Sequence, residues 1–307
     1  MTLTELKYIV ALAREKHFGK AAESCHVAQP TLSVGVKKLE DELQVLLFER
    51  HSGEVTVTEQ GRLLIQQAQR VIEEANHLKK LAKYGVDPMR GPLRLGTIYT
   101  IAPYLLPSLI SKSQEILPEI PLFLHETFTS VLLEMLKQGE LDCAILAYPF
   151  ATQGLDAIDL YDETYVVAVP KAHPWSKLSS IDPHDLSGQN MLLLGAGHCF
   201  REHVLQVCPE LNRYGALSED SPKNYEGSSL ETIRQMVAGG IGISVLPRTS
   251  VMDINQQDGL VSYIPFDNPQ PSRRIAIVWR KAFPRKEAVE SLARVIQQCH
   301  LQNVNWL

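Results

Sequence analysis

The chain has 307 residues, 45% of them hydrophobic and 21% charged, and a net charge of −5. These values fit a globular protein of two or three domains and exclude a disordered chain, and no run reaches the 18 apolar residues of a membrane span. Five cysteines (25, 143, 199, 208 and 299) in so long a chain are no secreted disulfide framework, and the opening MTLTELKYIV has no leader pattern, so a reducing cytoplasm is expected.

Residues 1–60 read as short helices. Leu3, Leu6, Ile9, Val10 and Ala13 give one apolar face, and a short helix after His17-Phe18-Gly19 holds Ala21, Ala22 and Cys25. A turn at His26-Val27 leads to Gln29-Pro30, with Pro30 suited to a first helical turn. Leu32, Val36, Leu39 and Leu43 then form an inner face, while Thr31, Ser33, Lys37 and Lys38 form a hydroxylic and basic outer one. Two short helices on a tight turn, the second basic outside, make a helix-turn-helix pattern. Bulk charge adds nothing to that reading, since residues 1–90 hold 13 basic and 12 acidic residues and the remainder 17 against 23. Residues 49–58 read as a hairpin turning at Ser52-Gly53.

Thr58-Glu59-Gln60-Gly61 opens a long helix to about Tyr84. Leu64, Ala68, Val71, Ala75 and Leu78 alternate by four and three, a seam suited to a partner helix, and Ile65 and Ile72 supply a second stripe for packing within the chain. Gly85, Pro88, Gly91 and Pro92 mark a hinge.

From Leu93 strands alternate with helices. Strands are expected at 93–98, 122–126, 141–147, 165–169, 191–194, 241–246 and 275–279, and helices at 103–117, 130–138, from Cys199, at 230–237 and at 284–299. The pattern is α/β with mostly parallel sheets, about 215 residues in two subdomains, with ligand chemistry at strand C-termini.

The run GHCFREHVLQVC, Gly197 to Cys208, holds two cysteines nine positions apart. If it is helical, a rise of about 1.5 Å per residue sets their Cα atoms roughly 13 Å apart, whereas a disulfide needs about 4.4–6.8 Å. Bonding the pair is then a conformational event. Cys199 at a helix N-terminus, beside His198 and within a turn of Arg201, is placed for thiolate chemistry. Cys25, Cys143 and Cys299 read as inert small hydrophobes. A metal site from His198, Cys199, His203 and Cys208 is the rival reading, but the spacing matches no short metal motif.

The stretch FGKAAESCHVAQPTLSVGVKKLEDELQVLLFER and the Val-Thr-x-x-Gly close at Gly61 resemble the N-terminal domain of LysR-type transcriptional regulators. The α/β remainder resembles that family's periplasmic-binding-protein-like effector domain. Thr100 with Ala102-Pro103-Tyr104-Leu105-Leu106-Pro107 behind it, Thr129, His198-Cys199, Cys208, the run Ser228 to Thr232, and Arg273 sit where the peroxide-sensing branch of the family has them. Ala196, Glu202 and Ala102 depart from that branch's usual residues.

The resemblance implies an all-α winged helix-turn-helix domain over 1–60, a linker dimerisation helix over 61–87 and a regulatory domain over 91–307. Subdomain I would span about 91–163 and 268–307, and subdomain II about 164–267. Gln29, Pro30, Thr31, Ser33, Lys37, Lys38 and Arg50 would meet DNA, with Arg50 on phosphate or in the minor groove. Cys199 would be oxidised by hydrogen peroxide and resolved by Cys208; Thr100, Thr129, His198 and Arg273 would form the peroxide pocket, and His198 and Arg201 would activate the thiolate. Neither cofactor nor metal is expected, and the protein is expected not to be an enzyme. Implied partners are promoter DNA, RNA polymerase, reducing dithiol proteins and further copies of the chain, as homodimer or homotetramer in a bacterial cytoplasm.

Overall fold

A computed structural model describes residues 1–51, 54–84, 87–209, 226–227, 229–251 and 259–307, in two compact units, Met1–Asp87 and Pro88–Leu307. The expected turn at Ser52-Gly53, the hinge position Gly85, and Ser228 lie outside the described residues.

In the first unit, α1 (Leu3–Glu15) starts at a reciprocal cap. The Thr2 N–H donates to Glu5 Oε2 (2.7 Å) and the Glu5 N–H to Thr2 Oγ1 (3.2 Å), which satisfies two end donors. α2 (Phe18–Ser24) is capped by His17 Nδ1, which accepts from the Gly19 and Lys20 N–H groups. α3 (Gln29–Leu43) carries Pro30 in its first turn and buries Leu32, Val36 and Leu39 against Leu6, Ile9 and Leu12 of α1. The buried face of α1 is rotated from the expected one: Leu3 is exposed and Leu12 fully buried, because α1 packs against α2, α3 and the long helix together.

β1 (Phe48–His51) and β2 (Glu54–Val57) form an antiparallel hairpin, the wing. Its start is fixed by Glu40 Oε1, which accepts the Leu47 and Phe48 N–H groups at 2.8 and 3.1 Å. α4 (Glu59–Tyr84) then runs 26 residues, and Gly61 sits where its first turn touches the chain before the wing. A Cβ there would stand 2.4 Å from the Leu47 carbonyl oxygen and 2.8 Å from Thr58 Oγ1.

The second unit contains β3 (Leu93–Thr97), α5 (Ala102–Ile116), β4 (Leu122–Glu126), α6 (Thr129–Lys137), β5 (Cys143–Ala147), β6 (Leu155–Pro170), β7 (Leu193–Leu194), α7 (Cys199–Val207) and β8 (Glu226–Gly227). There follow α8 (Leu230–Ala238), β9 (Ser244–Pro247), β10 (Val261–Pro265), β11 (Ser272–Arg280), α9 (Lys286–Ile296) and β12 (Val304–Trp306). The main sheet has the order β10-β6-β11-β5-β3-β4, with β9 and β12 also paired to β6.

The mostly parallel sheet expected from the sequence is corrected here. Among the described residues, the parallel pairings are β3–β4, β3–β5, the short β7–β8 pair and two isolated bridges, Ile181–Phe266 and Met191–Ile243, and every pairing of β6 and β11 is antiparallel. The cause is β6, expected only at 165–169 but running from Leu155 to Pro170. Its first half pairs with β11 beside a core of α5, α6 and α9 residues. Its second half pairs with β9 and β10 beside a second core that contains Phe200, Val204, Cys208 and Ile233. Among the described residues no helix is long and apolar enough to cross a membrane.

The fit around Gly61 yields the first prediction. Gly61→Ala should destabilise the first unit by about 1–3 kcal/mol, the range for overpacking against fixed atoms, read as a lower urea midpoint at unchanged slope. An unaltered midpoint would show that the turn relaxes freely.

Candidate functional site

The parallel strands β3 and β4 end at Thr97 and Glu126, and the loops that follow them face the start of α7. Between them lies a narrow cleft walled by Tyr99, Thr100, Phe128, Thr129, His198 and Cys199, with an empty volume of about 170 Å³ that includes its open mouth. Such a position beyond strand C-termini is where open α/β sheets place ligands. The structure thus brings together Cys199, Thr100, Thr129 and His198, four residues singled out in the sequence. Thr129 Oγ1 is buried and finds no hydrogen-bond partner among the described residues, so a small polar molecule in the cleft would meet a ready donor and acceptor. Gly197 holds φ +96°, a left-handed conformation that glycine adopts freely, and this turns the chain into α7.

Tyr99 and Phe128 were not identified from the sequence. Their rings meet the His198 ring, with centroids 5.7 and 4.9 Å away, and form an aromatic rim on the cleft. Cys199 is half-buried at the first position of α7, whose N-cap His198 makes no side-chain capping bond. The positive end of the helix dipole therefore lies at the sulfur-bearing residue. Arg201 is in the first turn, and its Nη1 donates to the Leu194 carbonyl at 2.9 Å.

Arg273 does not line the cleft but braces it. Nη1 donates to Thr100 Oγ1 (2.8 Å), Nη2 to the Thr100 carbonyl (3.1 Å), and Nε to Glu163 Oε2 (2.7 Å). Both side chains of the Arg273–Glu163 pair are fully buried, and the two residues are register partners on β11 and β6. Glu163 Oε1 accepts from the Thr249 N–H and hydroxyl, so each lone-pair side of the carboxylate is used. Burial opposes the charge on Arg273, but the carboxylate of Glu163 and the fields of Tyr165 and Cys199 outweigh it and hold the guanidinium pKa above its ordinary value. The guanidinium also lies 5.0 Å from the ring centre of Phe200 in α7.

α7 spans nine residues from Cys199 to Val207 with Cys208 at its C-cap. The helical rise puts the two cysteine Cα atoms about 13 Å apart, and neither is in a disulfide. Cys208 is fully buried in the second core, as are Phe200 and Val204. His203 joins the helix to the first core by its Nε2, which lies 2.8 Å from the Tyr148 carbonyl and so bears the proton. Burial first, and Arg273 second, push the His203 pKa down to about 4. Its Nδ1 is buried with no hydrogen-bond partner among the described residues. No group of three or more His, Cys, Asp or Glu among the described residues is placed to hold a metal, so His198, Cys199, His203 and Cys208 do not form the rival metal site.

On the first unit Gln29, Pro30, Thr31, Lys37 and Lys38 are exposed on α3 and Ser33 is half-buried. Lys38 Nζ donates to Glu5 Oε1 at 2.8 Å. Arg50 lies on β1 opposite Val55. The expected α4 seam is split: Leu64 and Ala68 pack into the core of their own unit, Ala75 is half-buried, and Val71 and Leu78 are exposed. The division follows α1, which covers α4 and takes the N-terminal half of the seam.

Comparison with known proteins places this geometry. Residues 3–62 match the bacterial regulatory helix-turn-helix protein, lysR family, and residues 87–299 match the LysR substrate binding domain. The chain is 42% identical over 302 residues to the hydrogen peroxide-inducible genes activator of Pectobacterium carotovorum, covering 98% of this chain and 97% of that one. It is 41% identical over 297 residues to the DNA-binding transcriptional dual regulator OxyR of Escherichia coli K12, covering 97% and 95%. Among solved structures, full-length OxyR of Pseudomonas aeruginosa superposes with a TM-score of 0.71 at 48% identity, covering 98% and 99% of the two chains. A hydrogen-peroxide-bound OxyR mutant of Corynebacterium glutamicum superposes at 0.62 and 32% identity, covering 97% and 92%. The chain belongs to the LysR family of bacterial transcriptional regulators, and within that family to the OxyR branch. It is a regulator of helix-turn-helix type, not an enzyme.

Two predictions follow from the buried groups. Arg273→Met leaves Glu163 buried and unpaired, so it should cost about 3–5 kcal/mol in chemical denaturation, and adding Glu163→Leu should recover most of that loss. A single variant as stable as the parent would contradict the burial described. His203 is held neutral when folded and titrates near 6.5 when unfolded, so its stabilising contribution is complete above pH 6.5 and is lost as pH falls toward 4. His203→Gln should flatten that part of the stability–pH curve of the second unit; an unchanged curve would show that other groups cause it.

Proposed function

We propose that the protein is a DNA-binding transcription activator switched by hydrogen peroxide at Cys199. The observation that carries this is the placement of a half-buried thiol at a helix N-terminus, in a cleft with Thr100 and Thr129, nine residues of helix away from a fully buried second thiol. The relatives support it: proteins about 41% identical over nearly the whole chain are named hydrogen peroxide-inducible genes activators.

The Cys199 thiolate attacks one peroxide oxygen, the O–O bond breaks, and the departing hydroxide takes a proton and leaves as water. Thr100, Thr129 and His198 hold the peroxide, and His198, Arg201 and the helix dipole favour the thiolate. The resulting sulfenic acid condenses with the Cys208 thiol, forming the disulfide and releasing a second water. That step requires α7 to unwind and to draw Phe200 and Val204 from the second core, at about 1.5–3 kcal/mol for each side chain exposed. The new S–S bond offsets this cost, and an order–disorder change of this kind alters how copies of the chain pack on one another. Dithiol proteins reverse the bond.

For DNA, α3 would enter the major groove with Gln29, Pro30, Thr31 and Ser33 near base edges, while Lys37, Lys38 and Arg50 contact phosphate. The exposed part of the α4 seam, with Val71 and Leu78, serves a homodimer, and two dimers form a homotetramer that engages promoter DNA and RNA polymerase. The parts assigned are a winged helix-turn-helix over 1–60, the linker helix over 61–87 and the sensing domain over 91–307.

Mass spectrometry of thiol states across a peroxide titration, run beside a DNA footprint on the same samples, tests the switch. Cys199→Ser should abolish the peroxide-dependent footprint change while leaving DNA binding intact, and Cys208→Ser should accumulate sulfenic acid without the locked footprint. A full peroxide response in Cys199→Ser would remove the assignment. Separately, Arg50→Ala should weaken binding to all sequences and reduce the salt slope by about one; an unaltered slope would take Arg50 off the phosphate backbone.

A further inference from the structure

We propose that Val34 reads DNA sequence, by packing against the 5-methyl group of a thymine in the major groove. This deepens the function proposed above and rests on its reading that α3 enters that groove. Val34 is the sixth residue of α3 and is 67% exposed, although Leu32 and Val36, two positions to either side, are fully buried. Of the valines and leucines of α3 it is the exposed one.

The seat of α3 on α1 fixes where this side chain points. At 3.6 residues per turn, each step turns about 100° around the helix axis, so Val34 lies about 160° from both Leu32 and Val36. Gly35 locks that rotation. A Cβ there would stand 2.7 and 2.9 Å from Cδ2 and Cε2 of Tyr8, so glycine lets α3 lie directly on α1. Pro30, Thr31, Lys37 and Lys38 stand about 40–60° from Val34, and all four are exposed. Val34 is thus the centre of the outer face, ringed by a proline, a hydroxyl and two ammonium groups.

The chemistry of the position selects the partner. The surrounding lysines favour a polyanion over a cationic or wholly apolar surface. Of the base edges in the major groove, that of thymine alone carries a methyl group. The two methyls of valine, held by a stiff χ1 torsion, form a small fixed surface that fits one such group. A recognition helix meets base edges with its N-terminal part, where the sixth residue falls. The polar edge of another base would lose its water there without gaining a hydrogen bond, so the contact discriminates as well as attracts.

The full-length protein can select its preferred duplex from a randomised pool. Each thymine of that duplex is then replaced in turn by deoxyuridine, which deletes the 5-methyl group and nothing else. In the parent, uracil at one or more positions of the half-site should weaken binding about fourfold per methyl, the value of one buried carbon. Val34→Ala should bind the thymine duplex severalfold more weakly and show little response to uracil at those positions, the coupling expected of groups in contact. Its thermal midpoint and its affinity for a scrambled duplex should match the parent's, which a structural role for Val34 would not allow. A parent that responds to uracil nowhere, or a Val34→Ala variant that responds as the parent does, would overturn the proposal. The groove reading of α3 is separable: it survives that result if Gln29→Ala or Thr31→Ala shifts the base preference, and falls if neither does.

Discussion

Everything that Cys199 and Cys208 do depends on the rise of the helix between them. Nine steps of about 1.5 Å hold the Cα atoms near 13 Å apart, twice the reach of a disulfide. The helix is not free to bend the pair together, because its inner face carries Phe200 and Val204 into the second core and its His203 is tied to the Tyr148 carbonyl. In the switch proposed, the thiol at one end would react while the thiol at the other waits. The same short helix therefore serves as one wall of the cleft, through Cys199, and as the barrier to bond formation, through its packing.

The cleft and the barrier share a second element, the buried Arg273–Glu163 pair. A charge taken out of water needs a full set of partners, and this pair has them in Thr100, Thr249 and each other. By holding both the hydroxyl and the carbonyl of Thr100, Arg273 fixes the loop after β3 against which a small ligand would lie. By lying against Phe200 it also touches α7. Loss of helical packing around Phe200 would thus be felt at Thr100, and so in the shape of the cleft.

Much of this was legible in the chain. The 3.6-residue spacing of Leu32, Val36 and Leu39 gave the inner face of α3, and Gly197 before Cys199 marked the start of α7. The long β6 was hidden because its first half, LDAIDLYDE, places acidic residues at 156, 159, 162 and 163, on both faces of a strand, so that no period-two apolar face shows. With its extent missed, the antiparallel character of the sheet was missed too. Glu163 had no sequence signal: one carboxylate on a strand reads as a solvated position until the burial of Arg273 demands a counter-charge. Tyr99 and Phe128 follow strand ends with no spacing pattern, and only the folding of two separate loops onto His198 reveals their role. The seam of α4 was read as one surface, because nothing in its repeat shows that α1 covers Leu64 and Ala68 and leaves Val71 and Leu78 exposed.

Amide hydrogen exchange along α7, before and after stoichiometric peroxide, tests the helical barrier most directly. In the reduced protein the Val204, Leu205 and Val207 amides should exchange slowly. Once the 199–208 disulfide has formed, they should exchange at rates near those of an unfolded segment. A disulfide-bonded protein whose α7 amides remain as protected as before would show that the sulfurs meet without unwinding the helix.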